Sequence, residues 1–291
     1  MATLFFGLGF SSQASARAMR ASGGFAPIYG TVRTPEKAIA LTGEGVTGLV
    51  FDGTQASREV SEVLRGGTVG HVVLSIAPDA DGDPVLREHR ADLDADSALE
   101  WLCYYSTVGV YGDFGGAWID ESAELVPRNM RSDYRVVAEQ QWRDYAAERG
   151  VPLCILRLAG IYGPGRSSFD KLRDRTARRI IKPGQVFNRI HVEDIARVTM
   201  LAAQKHLAGT FNMADDEPAP PQDVIAYAAD LIGMDVPPDL PFETAEMTPM
   251  QKSFYRDNKR VSNRAIKTAL GIEMLYPNYR AGLAQILESE Q

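Results

Sequence analysis

The chain has 291 residues, 45% of them hydrophobic, which is ordinary for a globular enzyme and argues against disorder. Its net charge of −7 and pI near 5.2 argue against a nucleic-acid partner, because neutralising phosphates needs clustered Lys and Arg and the positive charges here are scattered. No apolar run approaches the ~20 residues that span a bilayer and the opening stretch lacks a signal peptide's basic flank, so no membrane association and a cytoplasmic location are expected.

Up to about Gly163, short apolar runs alternate with amphipathic segments, the pattern of successive βα units around a parallel sheet buried on both faces. The predicted strands cover Thr3 to Leu8, Pro27 to Val32, Gly48 to Phe51, His71 to Ile76, Trp101 to Ser106 and Pro152 to Leu158. Ser12 to Ser22, Pro35 to Thr42 and Ser57 to Leu64 read as helices between them, and a long helix from about Ser132 to Arg149 precedes the sixth strand. Beyond Gly163 come basic and polar helices, a loop at Pro183-Gly184, a short strand over Thr210 to Met213 and Pro-rich joints at Pro218 to Pro221 and Pro237 to Pro241. The expected division is 1–163 and 164–291, the second part smaller and returning some segments to the sheet.

Within the second part, Lys171, Arg173, Arg175, Arg178 and Arg179 read as a solvated helix face, with a pocket for an anionic group as the alternative. Cys103 and Cys154 sit in apolar runs and are expected to be small buried hydrophobes in a reducing compartment. His71, His89 and His206 are lone histidines without metal-like partners in the sequence, so no metal is expected.

The first strand runs into Gly7-Leu8-Gly9-Phe10-Ser11-Ser12 and then a helix. Gly7 permits a tight turn, Gly9 lets the backbone approach a pyrophosphate, and the amides and dipole opening the helix favour that charge. Ser12 stands where a third small residue allows close helix–strand packing, and its hydroxyl is a candidate phosphate ligand. A degenerate glycine triplet alone also fits an ordinary turn, but its place at the first junction of a βαβ series points to a Rossmann-type, doubly wound α/β fold. The second strand ends in Thr31-Val32-Arg33-Thr34, without the acidic residue that usually bonds the adenosine 2′-hydroxyl in NAD-specific domains. Thr31 and Arg33 suit a 2′-phosphate, so NADP is the expected cofactor, with NAD as the alternative. Asp52 is placed to meet the adenine amino group, and Ser75, Ile76 and Ala77 end the fourth strand where a nicotinamide ribose passes.

Longer segments then converge: Tyr105-Ser106-Thr107-Val108-Gly109-Val110-Tyr111-Gly112, Leu156-Arg157-Leu158-Ala159-Gly160-Ile161-Tyr162-Gly163-Pro164-Gly165, Asn188-Arg189-Ile190-His191-Val192-Glu193-Asp194 and Phe211-Asn212-Met213-Ala214-Asp215-Asp216. Together they resemble an extended short-chain dehydrogenase/reductase of the NAD-dependent epimerase/dehydratase family over nearly the whole chain. The glycine loop departs from the usual T-G-x-x-G-x-x-G and is closer to an atypical subgroup. The resemblance implies a Rossmann domain of about seven strands with a C-terminal substrate domain, a small-molecule substrate such as a sugar nucleotide, and a homodimer pairing through long helices.

It also implies that Thr107 hydrogen-bonds the reacting C–O group. Matching the long helix through Ala138-Glu139 puts Arg131 where the family has its acid/base Tyr and Arg135 where it has Lys. Arginine stays charged and cannot transfer the proton, although Arg135 is still able to bond a cofactor ribose. Tyr134, about one helical turn beyond Arg131, is the remaining candidate, with a merely packed tyrosine as the alternative. Tyr111, Tyr162 and Arg131 are expected at the substrate cleft, and His191 and Arg157 in structural roles. The functional expectation is an NAD(P)-binding oxidoreductase, against a catalytically silent NADP(H) sensor or interaction protein.

Overall fold

The computed structural model describes residues 1–290. Five strands, β1 (Ala2–Phe6), β2 (Ile28–Val32), β3 (Thr47–Val50), β4 (Val69–Leu74) and β5 (Trp101–Thr107), are followed by β6 (Leu153–Leu158) and β7 (Gly209–Met213). They form one seven-stranded sheet in the order β3-β2-β1-β4-β5-β6-β7, with parallel pairing from β3 through β5. All residues of β1 and β4 are buried, because helices cover both sheet faces and neither side can carry polar residues to water. The chain crosses from β3 to β4 on the far side of β1, so the strand order reverses between β1 and β4. That switch point brings the end of β1 beside Ser75, whose amide donates to Phe6 O at 2.9 Å.

The flanking helices are α1 (Phe10–Ser22), α2 (Pro35–Leu41), α3 (Arg58–Arg65), α4 (Pro84–Ala95) and α5 (Met130–Arg149). Local chemistry sets their ends. Thr34 caps α2 ahead of Pro35, Asn129 caps α5, and Gly150 closes α5 in the left-handed region at φ 65°. Helix α4 was not among the predicted helices, although Asp83-Pro84 is a cap followed by proline at the first helical position. Ala138, Trp142 and Tyr145 of α5 join Leu4, Phe6, Val72, Leu74, Leu102 and Tyr104 in one core cluster.

The chain divides into two compact units. The first comprises Met1–Val110, Pro127–Arg157 and Ile195–Phe211, and holds the sheet apart from its last strand ends. The second comprises Tyr111–Val126, Leu158–Asp194 and Asn212–Gln291. Within it, short parallel pairs join Gly160–Tyr162 to Arg189–His191 and Arg179–Ile181 to Asp239–Pro241, and Phe169, Leu172, Ala228, Leu283 and Ile286 form a separate core. Lys171, Arg173, Arg175 and Arg178 of its basic run are exposed, as a solvated face requires, and Arg179 is half-buried. Arg178 donates to Glu246 O, and Arg179 donates to Pro237 O at 3.1 Å while pairing with Asp239 at 2.5 Å. Cys103 and Cys154 are free thiols, both fully buried. Among the described residues no helix is long and apolar enough to cross a membrane.

Candidate functional site

The turn after β1 is built around two glycines with different jobs. Gly7 has φ +88°, and a Cβ there would lie 2.9 Å from Ser75 Oγ and 3.2 Å from the Ile76 amide, so the fold itself requires glycine. Gly9 has an ordinary extended backbone and a Cβ on it would meet nothing within 4 Å. The protein therefore leaves open the space a side chain at Gly9 would fill, beside the start of α1. That helix has no side-chain cap and no acidic residue in its first turn, and its first intrahelical bond is Gln13 N to Gly9 O at 2.8 Å. Uncapped amides, the positive end of the dipole and an empty cradle together fit a dinucleotide's pyrophosphate.

Two residues assigned to the ligand serve the turn instead. Ser12 is 1% exposed, and its hydroxyl donates to Ser75 Oγ at 3.0 Å, so it packs the helix onto the sheet rather than reaching a phosphate. Thr31 is fully buried, and its hydroxyl accepts from the Gly7 amide at 2.8 Å, which removes it from any 2′-phosphate. Ser75 is also engaged, donating to Gly7 O at 2.5 Å; Ile76 is half-buried and Ala77 exposed at the end of β4. Phe10 is half-buried and Ser11 buried in the first turn of α1.

At the adenosine end, Arg33 is exposed beyond β2, and Asp52 is exposed beyond β3. Asp52 Oδ1 accepts from the Thr54 amide at 2.9 Å and its hydroxyl at 2.7 Å. Those bonds, with a smaller contribution from the Arg33 charge, hold the Asp52 carboxyl below its usual range. Arg33 and an ionised Asp52 thus lie within electrostatic reach of one another.

Along β5 and α5, Thr107 is half-buried and its hydroxyl accepts from the Gly109 amide at 3.1 Å. Arg135 donates from Nη1 to Tyr105 O at 2.6 Å and to the Tyr104 hydroxyl at 3.2 Å, and its guanidinium lies 5.5 Å from the Tyr104 ring centroid. One end of the fork is thus fixed to β5, leaving Nη2 and Nε for a ligand. Tyr134 is half-buried, and its hydroxyl has no hydrogen-bond partner among the described residues; Arg131 is exposed one turn earlier.

Comparison with known proteins bears on the fold and the family pattern. Residues 91–214 match the NAD dependent epimerase/dehydratase family. A solved structure described as a functionally unknown conserved protein from Silicibacter pomeroyi DSS is 46% identical, covers 99% of this chain and 98% of its own, and superposes with a TM-score of 0.89. Residues 91–214 thus carry the pattern of the epimerase/dehydratase family. The fold is also that of dTDP-glucose 4,6-dehydratase from Bacillus anthracis str. Ames in complex with NAD, at 16% identity, TM-score 0.78, and coverage of 100% of this chain and 97% of that one. A curated relative, 3-diazoavenalumate denitrifying reductase from a Streptomyces species, is 27% identical over 142 residues, spanning 45% of this chain and 46% of the relative.

Two further residues expected at the substrate cleft are packed instead. Tyr111 is fully buried, its hydroxyl donating to Asn212 Oδ1 at 2.7 Å. Tyr162 is 9% exposed and belongs to the core of the second unit, edge-on to His191 at 5.1 Å. His191 is fully buried; burial pushes its imidazole pKa down to about 4, and Nδ1 accepts from the Glu193 amide at 3.3 Å. Its role there is to fill space as a neutral ring.

Sequence reasoning missed a buried ionic cluster behind β5. Glu139 of α5 is fully buried, accepting from Ser106 Oγ at 2.5 Å, Arg157 Nε at 3.1 Å, Arg157 Nη2 at 2.7 Å and Arg143 Nη2 at 3.1 Å. Burial raises the pKa of its carboxyl, but the Arg157 contacts, then Ser106 and Arg143, outweigh it and hold the group below its usual range. Arg157, expected in a structural role, anchors β6 to α5. Arg143 is four positions from Glu139 on the same helix, but Arg157 and Ser106 gave no spacing signal, because they are 18 and 33 positions away. Ligand-type atoms of His71, Glu100 and His206, which sequence spacing did not bring together, all lie within 4.8 Å of one another.

Proposed function

We propose that this chain is an oxidoreductase that prefers NADP(H) and interconverts a carbonyl and a hydroxyl on a small molecule, with sugar nucleotides among the candidate substrates. The carrying observation is the Gly9 cradle at the uncapped start of α1, a space the fold does not need and a pyrophosphate fits. Bound nicotinamide supplies the hydride chemistry. The chain's own residues supply the rest: the Thr107 hydroxyl holds the reacting C–O group, and the free N–H groups of Arg135 bind the ribose. Tyr134 exchanges the proton, with the Arg135 and Arg131 charges in place of the usual lysine to favour its phenolate. The reductase named among the relatives and the NAD complex of the dehydratase support this reading. The cytoplasm is the proposed compartment. A homodimer through α5 fits the exposure of Met130 and Val137 on that helix.

The test is to saturate the protein with NADPH, confirm binding by fluorescence, and follow loss of the reduced nicotinamide's absorbance across a panel of carbonyl compounds. Turnover is expected, and Tyr134→Phe is expected to lower it about 100-fold, the low end for general acid–base catalysis because no lysine assists. Binding without turnover on any compound would instead favour the cofactor sensor.

Cofactor preference is proposed to rest on Arg33, since Thr31 is engaged by the turn. Arg33→Ala is expected to lower the ratio of NADP(H) to NAD(H) affinity about tenfold, through loss of a charge-assisted contact to the 2′-phosphate and exposure of that group to Asp52. Calorimetry with both cofactors reads the ratio; no change would remove Arg33 from the recognition of that phosphate.

A further inference from the structure

The chain has four histidines, and folding brings two of them together with a carboxylate toward the N-terminal ends of the central strands, away from the glycine turn. His71 is in the first half of β4, Glu100 immediately precedes β5, and His206 follows the helix Val192–Gln204. Since His71 lies four residues before Ser75, the cluster is about 13 Å along the strand from the cofactor turn.

The distances suit a cation. Glu100 Oε1 is 3.7 Å from His71 Nε2 and 3.4 Å from His206 Nε2. Donors around a tetrahedral zinc ion with bonds of about 2.0–2.1 Å are separated by roughly 3.3 Å, so small adjustments close the shell. Both distances are long for strong charge-assisted hydrogen bonds.

His71 is 5% exposed, yet neither ring nitrogen makes a hydrogen bond among the described residues: Nδ1 is buried without a partner and Nε2 faces Glu100. A buried imidazole left in that state is costly unless something else completes it.

The three ligands stand on a fixed frame. Phe25 and Trp101 hold the His71 ring edge-on at 5.1 and 6.1 Å, and the Glu100 amide donates to Gly70 O at 3.0 Å. His206 adopts φ 44°, in the left-handed region, between its own amide's bond to Ala203 O at 3.1 Å and the Trp101 Nε1 bond to Leu207 O at 3.0 Å. The other two histidines are engaged elsewhere. His89 Nδ1 pairs with Asp92 at 2.8 Å while its Nε2 accepts from the Ser57 amide at 3.1 Å, and His191 is fully buried.

We propose that His71, Glu100 and His206 form a binding site for a divalent transition metal of the zinc class, tying the end of the helix Val192–Gln204 to the start of β4 and β5. Glu100 and His206 are partly exposed, which leaves the fourth position to water.

The experiment titrates tag-free, chelator-treated protein with Zn²⁺ by calorimetry and with Co²⁺ by visible absorption. One ion per chain is expected, with the visible bands of a four-coordinate nitrogen–oxygen site and a rise in thermal midpoint. His206→Ala, on an exposed side chain, is expected to abolish binding and the thermal shift while leaving NADPH affinity unchanged. Glu100→Gln is expected to weaken binding at least tenfold. Absence of saturable binding in the parent protein, or equal binding in His206→Ala, would overturn the assignment.

Discussion

Glu139→Ala is expected to destabilise the protein by about 3–5 kcal/mol, because it leaves Arg157 buried and without its carboxylate. Arg157 is 3% exposed, and contacts at 3.1 and 2.7 Å tie it to Glu139. The same change strands Ser106 and loosens Arg143, which also donates to Thr210 Oγ1 at 2.9 Å. Against a total stability of roughly 5–15 kcal/mol, such a loss is large enough to lower soluble yield. Urea unfolding reads it directly. Replacing both charges, as Glu139→Leu with Arg157→Met, is expected to recover much of the loss, since removing both partners avoids an unpaired buried charge. A cost below about 1 kcal/mol for Glu139→Ala would mean that the cluster is hydrated and does not clamp α5 to the sheet.

Gly9→Asp is expected to separate folding from binding. Its backbone is in the extended region that a helix N-cap residue adopts, and the new side chain would meet no protein atom within 4 Å of its Cβ. An aspartate there caps α1 and complements its dipole, so stability is expected to hold or rise by a few tenths of a kcal/mol. The same carboxylate fills the cradle and repels a pyrophosphate, so affinity for every nicotinamide dinucleotide is expected to fall at least about 100-fold. Thermal unfolding and calorimetry on the one variant read both effects. Unchanged affinity would place the diphosphate elsewhere.

Much of the first unit was legible because burial on both sheet faces turns strands into continuous apolar runs, and the six predicted strands all correspond to β1 through β6 within a few residues. The glycine turn was legible for a related reason: it is local, and φ +88° at Gly7 demands that residue. What failed was the inference of side-chain direction. Thr31 and Ser12 carry hydroxyls of the right type, yet both turn inward to fasten the loop, and Tyr111 and Tyr162 are in the core. Pairings across long separations left no pattern either. Ser106 and Arg157 meet Glu139 because α5 lies across the sheet, and His206 reaches Glu100 only because the helix Val192–Gln204 ends beside β5. Such contacts are products of topology, not of spacing.

The central claim is that the amides opening α1 hold the diphosphate of a nicotinamide cofactor. Calorimetric titration of the purified chain with NADPH, NADP⁺, NADH and NAD⁺ tests it most directly. Saturable binding at one site per chain is predicted, tightest for the phosphorylated pair; no heat from any of the four at millimolar ligand would contradict it.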